Sequence, residues 1–165
     1  MCKKIIISLL VSSAMATVAT SAFAVDTGTV TFNGKILPDS CVVDVNGTAT
    51  NGTVTFNNLS QTAFGEDKKV GDTQSFAITL TECDAAVANL NIKFDGTRIA
   101  GYDDEVLQAT GTAQNLGVRM LPEGSSNYVK FDGSDPDASL NKANGDSVVF
   151  NYKAEVIQVG STVPT

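Results

Sequence analysis

Apolar and polar residues alternate along most of this chain. Val30, Phe32 and Ile36 fall on one face of an extended segment, with Gly34 among them and Thr29, Thr31, Asn33 and Lys35 opposite. Val54 and Phe56 alternate with Thr53, Thr55 and Asn57; Phe76, Ile78 and Leu80 alternate with Ser75, Ala77, Thr79 and Thr81. The same period recurs at Leu90, Ile92 and Phe94, at Leu116, Val118 and Met120, and around Lys130 between Val129 and Phe131. The longest run is Val148, Phe150, Tyr152, Ala154 and Val156. A period of two with one apolar face predicts half-buried strands. Seven or more short strands at this spacing predict an all-β, immunoglobulin-like sandwich or a related barrel.

Turn chemistry separates the runs. Asn46-Gly47, Asn51-Gly52, Asp95-Gly96, Asp132-Gly133 and Asn144-Gly145 are pairs that tolerate the positive φ of tight turns. No window carries an apolar stripe at helical spacing over three turns; Asp84 to Asn89 is read as at most one helical turn.

The first residues break the pattern. Lys3 and Lys4 precede an apolar run from Ile5 to Val11, and Ala22-Phe23-Ala24 is a small-x-small triplet. This predicts a secretory leader cleaved after Ala24, too short and too rich in small polar residues for a membrane span. Of the 165 residues, removing 24 leaves 141, the size of one domain. The cleaved chain keeps nine of its 11 basic residues against 18 acidic ones, a net charge of −9. That balance disfavours nucleic acid and anionic membrane as partners. Cys2 leaves with the leader, so Cys41 and Cys83 remain as an even pair in an oxidising compartment, where a disulfide is the economical reading.

Catalytic chemistry finds little support. The chain has no His, which removes Ser-His catalysis and the commonest zinc and copper ligand. No Gly-x-Ser-x-Gly elbow or phosphate loop occurs, and no cofactor is expected. Trp is absent, so paired carboxylates have no sugar platform beside them. Two acidic clusters, Asp103-Asp104-Glu105 and Asp132, Asp135 and Asp137, raise calcium binding as a function, with solvated loop charge as the plainer account. A secreted calcium- or ligand-binding sandwich is therefore an alternative reading.

The ordered set of local segments is similar to the chaperone–usher pilus subunits, type 1 fimbrial major subunits above all. The resemblance rests on Gly28-Thr-Val-Thr-Phe-Asn-Gly34, on Cys41-Val-Val-Asp44 and on Phe76-Ala-Ile-Thr-Leu-Thr-Glu-Cys-Asp84. Phe94-Asp-Gly-Thr97, Asn115-Leu-Gly-Val-Arg-Met120 and Phe150-Asn-Tyr-Lys-Ala154 extend it over nearly the whole cleaved chain.

The resemblance implies an incomplete sandwich with a groove, filled first by a periplasmic chaperone and then, at an outer-membrane usher, by the N-terminal extension of the next subunit. By position, 25–36 would be that extension, with Val30, Phe32, Gly34 and Ile36 as its donor face, and 37–165 the sandwich domain. Val148, Phe150 and Tyr152 would line the groove, and Cys41 and Cys83 would form the family's disulfide. The implied product is a non-enzymatic, head-to-tail polymer of identical or related subunits on the surface of a Gram-negative cell, supporting adhesion. A minor tip or adaptor subunit is the variant reading. Family members close with one more alternating strand ending in an aromatic residue, whereas here Tyr152 to Gly160 is followed by Ser161-Thr-Val-Pro-Thr165. The expectation is a groove short of one wall, with Val148 and Phe150 exposed and the lone chain prone to aggregate.

Overall fold

The computed structural model describes residues 29–33, 41–48, 51–84, 89–133, 138–141 and 147–165. The expected leader, Gly34 and Ile36 lie outside them.

Among the described residues nine strands form: β1 (Thr29–Asn33), β2 (Val42–Val45), β3 (Asn51–Thr55), β4 (Val70–Thr81), β5 (Asn89–Ile92), β6 (Leu107–Gln108), β7 (Leu116–Pro122), β8 (Ala138–Asn141) and β9 (Val148–Gln158). The main sheet has the order β2-β4-β9-β7-β6, all antiparallel. Its centre is β9, whose even-numbered positions from Val148 to Val156 are buried while Val149 and Asn151 face solvent. The period of two written in the sequence is thus a real two-faced strand.

Opposite this sheet lie two separate pairs, β1 with β3 and β5 with β8. Between the layers, Phe76, Ile78 and Leu80 from β4 and Val148, Phe150, Tyr152, Ala154 and Val156 from β9 meet Val54, Phe56, Leu90 and Phe94. Tyr152 is the hub: its ring stacks on Phe76 at 5.5 Å and meets Phe94 edge-on at 5.3 Å.

Two crossings join the layers. At one side the chain leaves the main sheet through a tight turn at Asn46 and Gly47, with φ of 56° and 79°, closed by the Val45–Thr48 bridge. Asp44 accepts the Gly47 N–H at 2.7 Å. At the other, Val129 donates its N–H to the Met120 carbonyl beside β7, and Gly133 then donates to Phe94 beyond β5. The segment therefore changes layers within five residues, with Val129 and Phe131 buried and Lys130 exposed.

The Asn51-Gly52 pair is not a turn, contrary to the composition reading. Both residues belong to β3. Gly52 lies so close to Val45 that a β-carbon there would run into the Val45 side chain and lie 2.9 Å from its carbonyl oxygen. The glycine answers close approach of two backbones rather than a need for positive φ. The four-residue β2, the two-residue β6, β8 and a 3₁₀ turn at Gln61–Ala63 were not foreseen. The helical turn proposed from Asp84 to Asn89 falls largely on residues outside those described. Among the described residues no helix is long and apolar enough to cross a membrane.

Candidate functional site: the divided second layer

The feature that can do something for a partner is the divided layer over the core. Among the described residues no hydrogen-bonded ladder joins the β1–β3 pair to the β5–β8 pair. Strand backbones in such a layer carry N–H and C=O groups that seek partners along an edge, and an added strand satisfies them. The floor is the inner face of β4 and β9.

Thr29–Asn33 forms β1, with Val30 opposite Val54 and Phe32 opposite Gly52, antiparallel to β3 of the same chain. The sequence pattern left that strand without a hairpin partner; here it finds one 20-odd residues on. Val148, Phe150 and Tyr152 sit on the floor, at 8%, 3% and 1% exposure. The expected exposure of Val148 and Phe150 is therefore not seen. Both point inward from the central strand, opposite Leu80 and Ile78, and the second layer covers them. Cys41 and Cys83 are disulfide-bonded, fastening the start of β2 beside the end of β4.

The acidic clusters have other work. Asp104 accepts an ion pair from Arg98 Nε at 3.1 Å, while Arg98 also donates to the Phe131 carbonyl at 2.7 Å. Asp132 forms a backbone bridge with Asp95. Asp135 and Asp137 lie outside the described residues, and among those described no three metal-binding side chains gather.

Two polar assemblies escaped the sequence reading. On the outer face of the main sheet, Arg119 donates to Glu155 at 2.7 Å across β7 and β9, and its guanidinium lies 4.1 Å from the centre of the Tyr128 ring. At the end of β9, Asp67 accepts from the Tyr102 hydroxyl at 2.6 Å and from the Gly160 N–H at 2.7 Å. Next to it the wholly buried Gln158 accepts from Gly65 N–H and donates to the Gly160 carbonyl, so neither end of its amide is left without a partner. These contacts tie loops 35 and 93 residues apart, a separation that no local pattern reports.

The same groups set the response to pH. The Tyr102 hydroxyl bond, then the Gly160 N–H, hold Asp67 below its ordinary 3.8. Burial, helped by the hydrogen bond to Asp67, pushes Tyr102 above 10.0; burial, then the Glu155 charge, does the same to Tyr128. A depressed carboxylate contributes stability above its unfolded value, lost as pH falls through the folded one. A raised phenol contributes below its unfolded value, lost as pH rises through the folded one. The chain has no His, and the shifts among the described residues are those of carboxylates and tyrosines, away from neutrality. The urea midpoint is expected to stay flat between about pH 5 and pH 9 and to fall only beyond it on each side. A step inside that window would contradict this.

The comparisons agree on one relationship. The family model described as "Fimbrial protein" matches residues 30–165. The chain is 31% identical over 166 residues to the S-fimbrial protein subunit SfaA of Escherichia coli O6:K15:H31, covering 96% of this chain and 90% of that protein. It is 31% identical to the type-1 fimbrial protein A chain of Escherichia coli, over 95% of this chain and 86% of the relative. In fold it is similar to a subunit of a chaperone–usher pilus whose structure addresses rod uncoiling, with a TM-score of 0.60 at 23% identity, covering 81% of this chain and 84% of that one.

Proposed function

Because the chain belongs to the fimbrial protein family, we propose that its divided layer is the acceptor for a strand from another subunit and that residues 25–36, of which Thr29–Asn33 lies on β3 of the same chain here, leave that place in the filament and are the strand it donates. The protein is a structural, non-enzymatic subunit of a cell-surface fimbria, an incomplete immunoglobulin-like sandwich whose partners are other pilin subunits. Delivery through the periplasm by a pilus chaperone and an outer-membrane usher belongs to the same proposal, as does head-to-tail growth of the filament.

The observation that carries the reading is the second layer itself. It stands in two halves over a continuous apolar floor. A donated strand would supply backbone hydrogen bonds along its length and specificity through every second side chain. Val30, Phe32 and Ile36 are the apolar members of that set, and Gly34 would pass where the groove is narrowest. Because one subunit would give the strand and the next would take it in its layer, the contact is heterologous and builds an open filament rather than a closed ring.

Gly34→Asn tests this. In periplasmic extracts containing a pilus chaperone, the variant is expected to form the one-to-one chaperone complex as readily as wild type. It is expected to lose the ladder of multimers that survives SDS without heating. Filaments of normal length from Gly34→Asn would remove Gly34 from the donor face.

A further inference from the structure

We infer that Met120 is sealed against peroxide in the folded subunit and is oxidised only when the core opens, so that the folded surface offers oxidants no fast-reacting side chain. This stands on burial and composition, takes Met1, Cys2 and Met15 as removed with the expected leader, and is independent of how subunits join.

Sulfur and the aromatic heterocycles are where mild oxidants attack first. Residues 25–165 contain no Trp and no His, and Met120 is their single methionine. Their two cysteines, Cys41 and Cys83, are already joined as a disulfide, which leaves no thiolate to oxidise. Everything therefore turns on one thioether.

Met120 is 0% exposed, among the largest side chains in the molecule to be wholly enclosed. It faces inward from β7 opposite Ala154, itself 0% exposed, and belongs to the same core cluster as Tyr152. β7 is near the edge of its sheet, where a core sulfur is easiest to reach. That approach is closed by the layer-switching segment, since Val129 donates its N–H to the Met120 carbonyl at 2.8 Å. Val129 and Phe131, each 1% exposed, belong to the same core cluster.

The reaction needs contact between sulfur and oxidant. A sulfur lone pair attacks one peroxide oxygen, the O–O bond breaks, and the departing hydroxide takes up a proton to leave as water; the thioether becomes a sulfoxide. With the sulfur enclosed, the peroxide waits for an opening of the core, and such openings are rare. The sulfoxide oxygen also needs a hydrogen-bond donor, which an apolar pocket does not supply. An oxidised Met120 thus records a chain that has been open.

An internal reference makes the test quantitative. Val149 points to solvent from the outer face of β9 at 45% exposure, so V149M places a second thioether on the same molecule. The full chain carrying V149M is treated with hydrogen peroxide across a urea series, and gain of one oxygen at Met120 and at the introduced methionine is followed by peptide mass spectrometry. Circular dichroism of the same samples reports folding. In buffer, Met120 is expected to react at least roughly a hundredfold more slowly than the introduced methionine, rising to parity across the unfolding transition. Rates within a few-fold of each other, in samples that circular dichroism shows to be folded, would overturn the inference.

Discussion

Tyr152→Ala is expected to remove most of the stability of this subunit. The side chain is buried at the middle of the central strand, stacked on Phe76 and edge-on to Phe94. Truncating a large buried aromatic costs about 3–5 kcal/mol in lost transfer energy and residual cavity. A domain of this size has only about 5–15 kcal/mol in total. The change is expected to appear as a lowered urea midpoint and as rapid digestion of the variant by protease in the periplasm. Tyr152→Phe keeps both ring contacts and separates the two sources of stability: it should retain the greater part. If the two variants lost equal amounts, the hydroxyl rather than the ring packing would be what matters at this position.

Replacing both cysteines by serine is expected to cost about as much. The Cys41–Cys83 link spans 42 positions, and closing a loop of that length in the unfolded chain is worth about 4 kcal/mol by chain entropy. Position adds to this. β2 is a four-residue edge strand whose outer neighbour position is empty among the described pairings, so the bond holds the weakest strand of the main sheet against β4. Thermal unfolding of Cys41→Ser/Cys83→Ser in parallel with wild type measures the effect. A loss under about 1 kcal/mol would mean that the reduced chain already keeps these ends together.

How much of this was legible follows from what each signal depends on. Strands β4 and β9 were readable because each buries one face and leaves the other more open, and burial of that kind writes itself into alternate residues. β2 was missed because Val42 is apolar on the solvent side, which blurs a pattern only four residues long. β6 is two residues and has no pattern to show. Asn51-Gly52 misled for a different reason: a glycine that relieves a backbone crossing carries the same letter as one that turns a corner, and Val45, which decides between them, lies several residues away. The pairing of Cys41 with Cys83 was legible by count alone once Cys2 was assigned to the leader. Val30 and Phe32 were legible as members of an alternating strand but not as a pairing, because register with β3 depends on where the hairpin after β2 returns. Asp67, Tyr102 and Gln158 left no trace, since single polar residues in loops have no period and their partners are chosen by the finished fold.

The central ladder has a consequence in time. β9 lies between β4 and β7, and its pairing with β4 runs from Leu80 opposite Val148 to Val70 opposite Ile157. The strand that completes the main sheet is thus synthesised after all the other described strands. Contacts this distant in sequence form slowly. Until they do, β2 and β4 carry an apolar face with nothing to lay it against, and such faces stick to one another. A newly made chain spends its early life waiting for β9. Shortening that wait, or shielding the chain through it, is a demand placed on the cell by strand order alone.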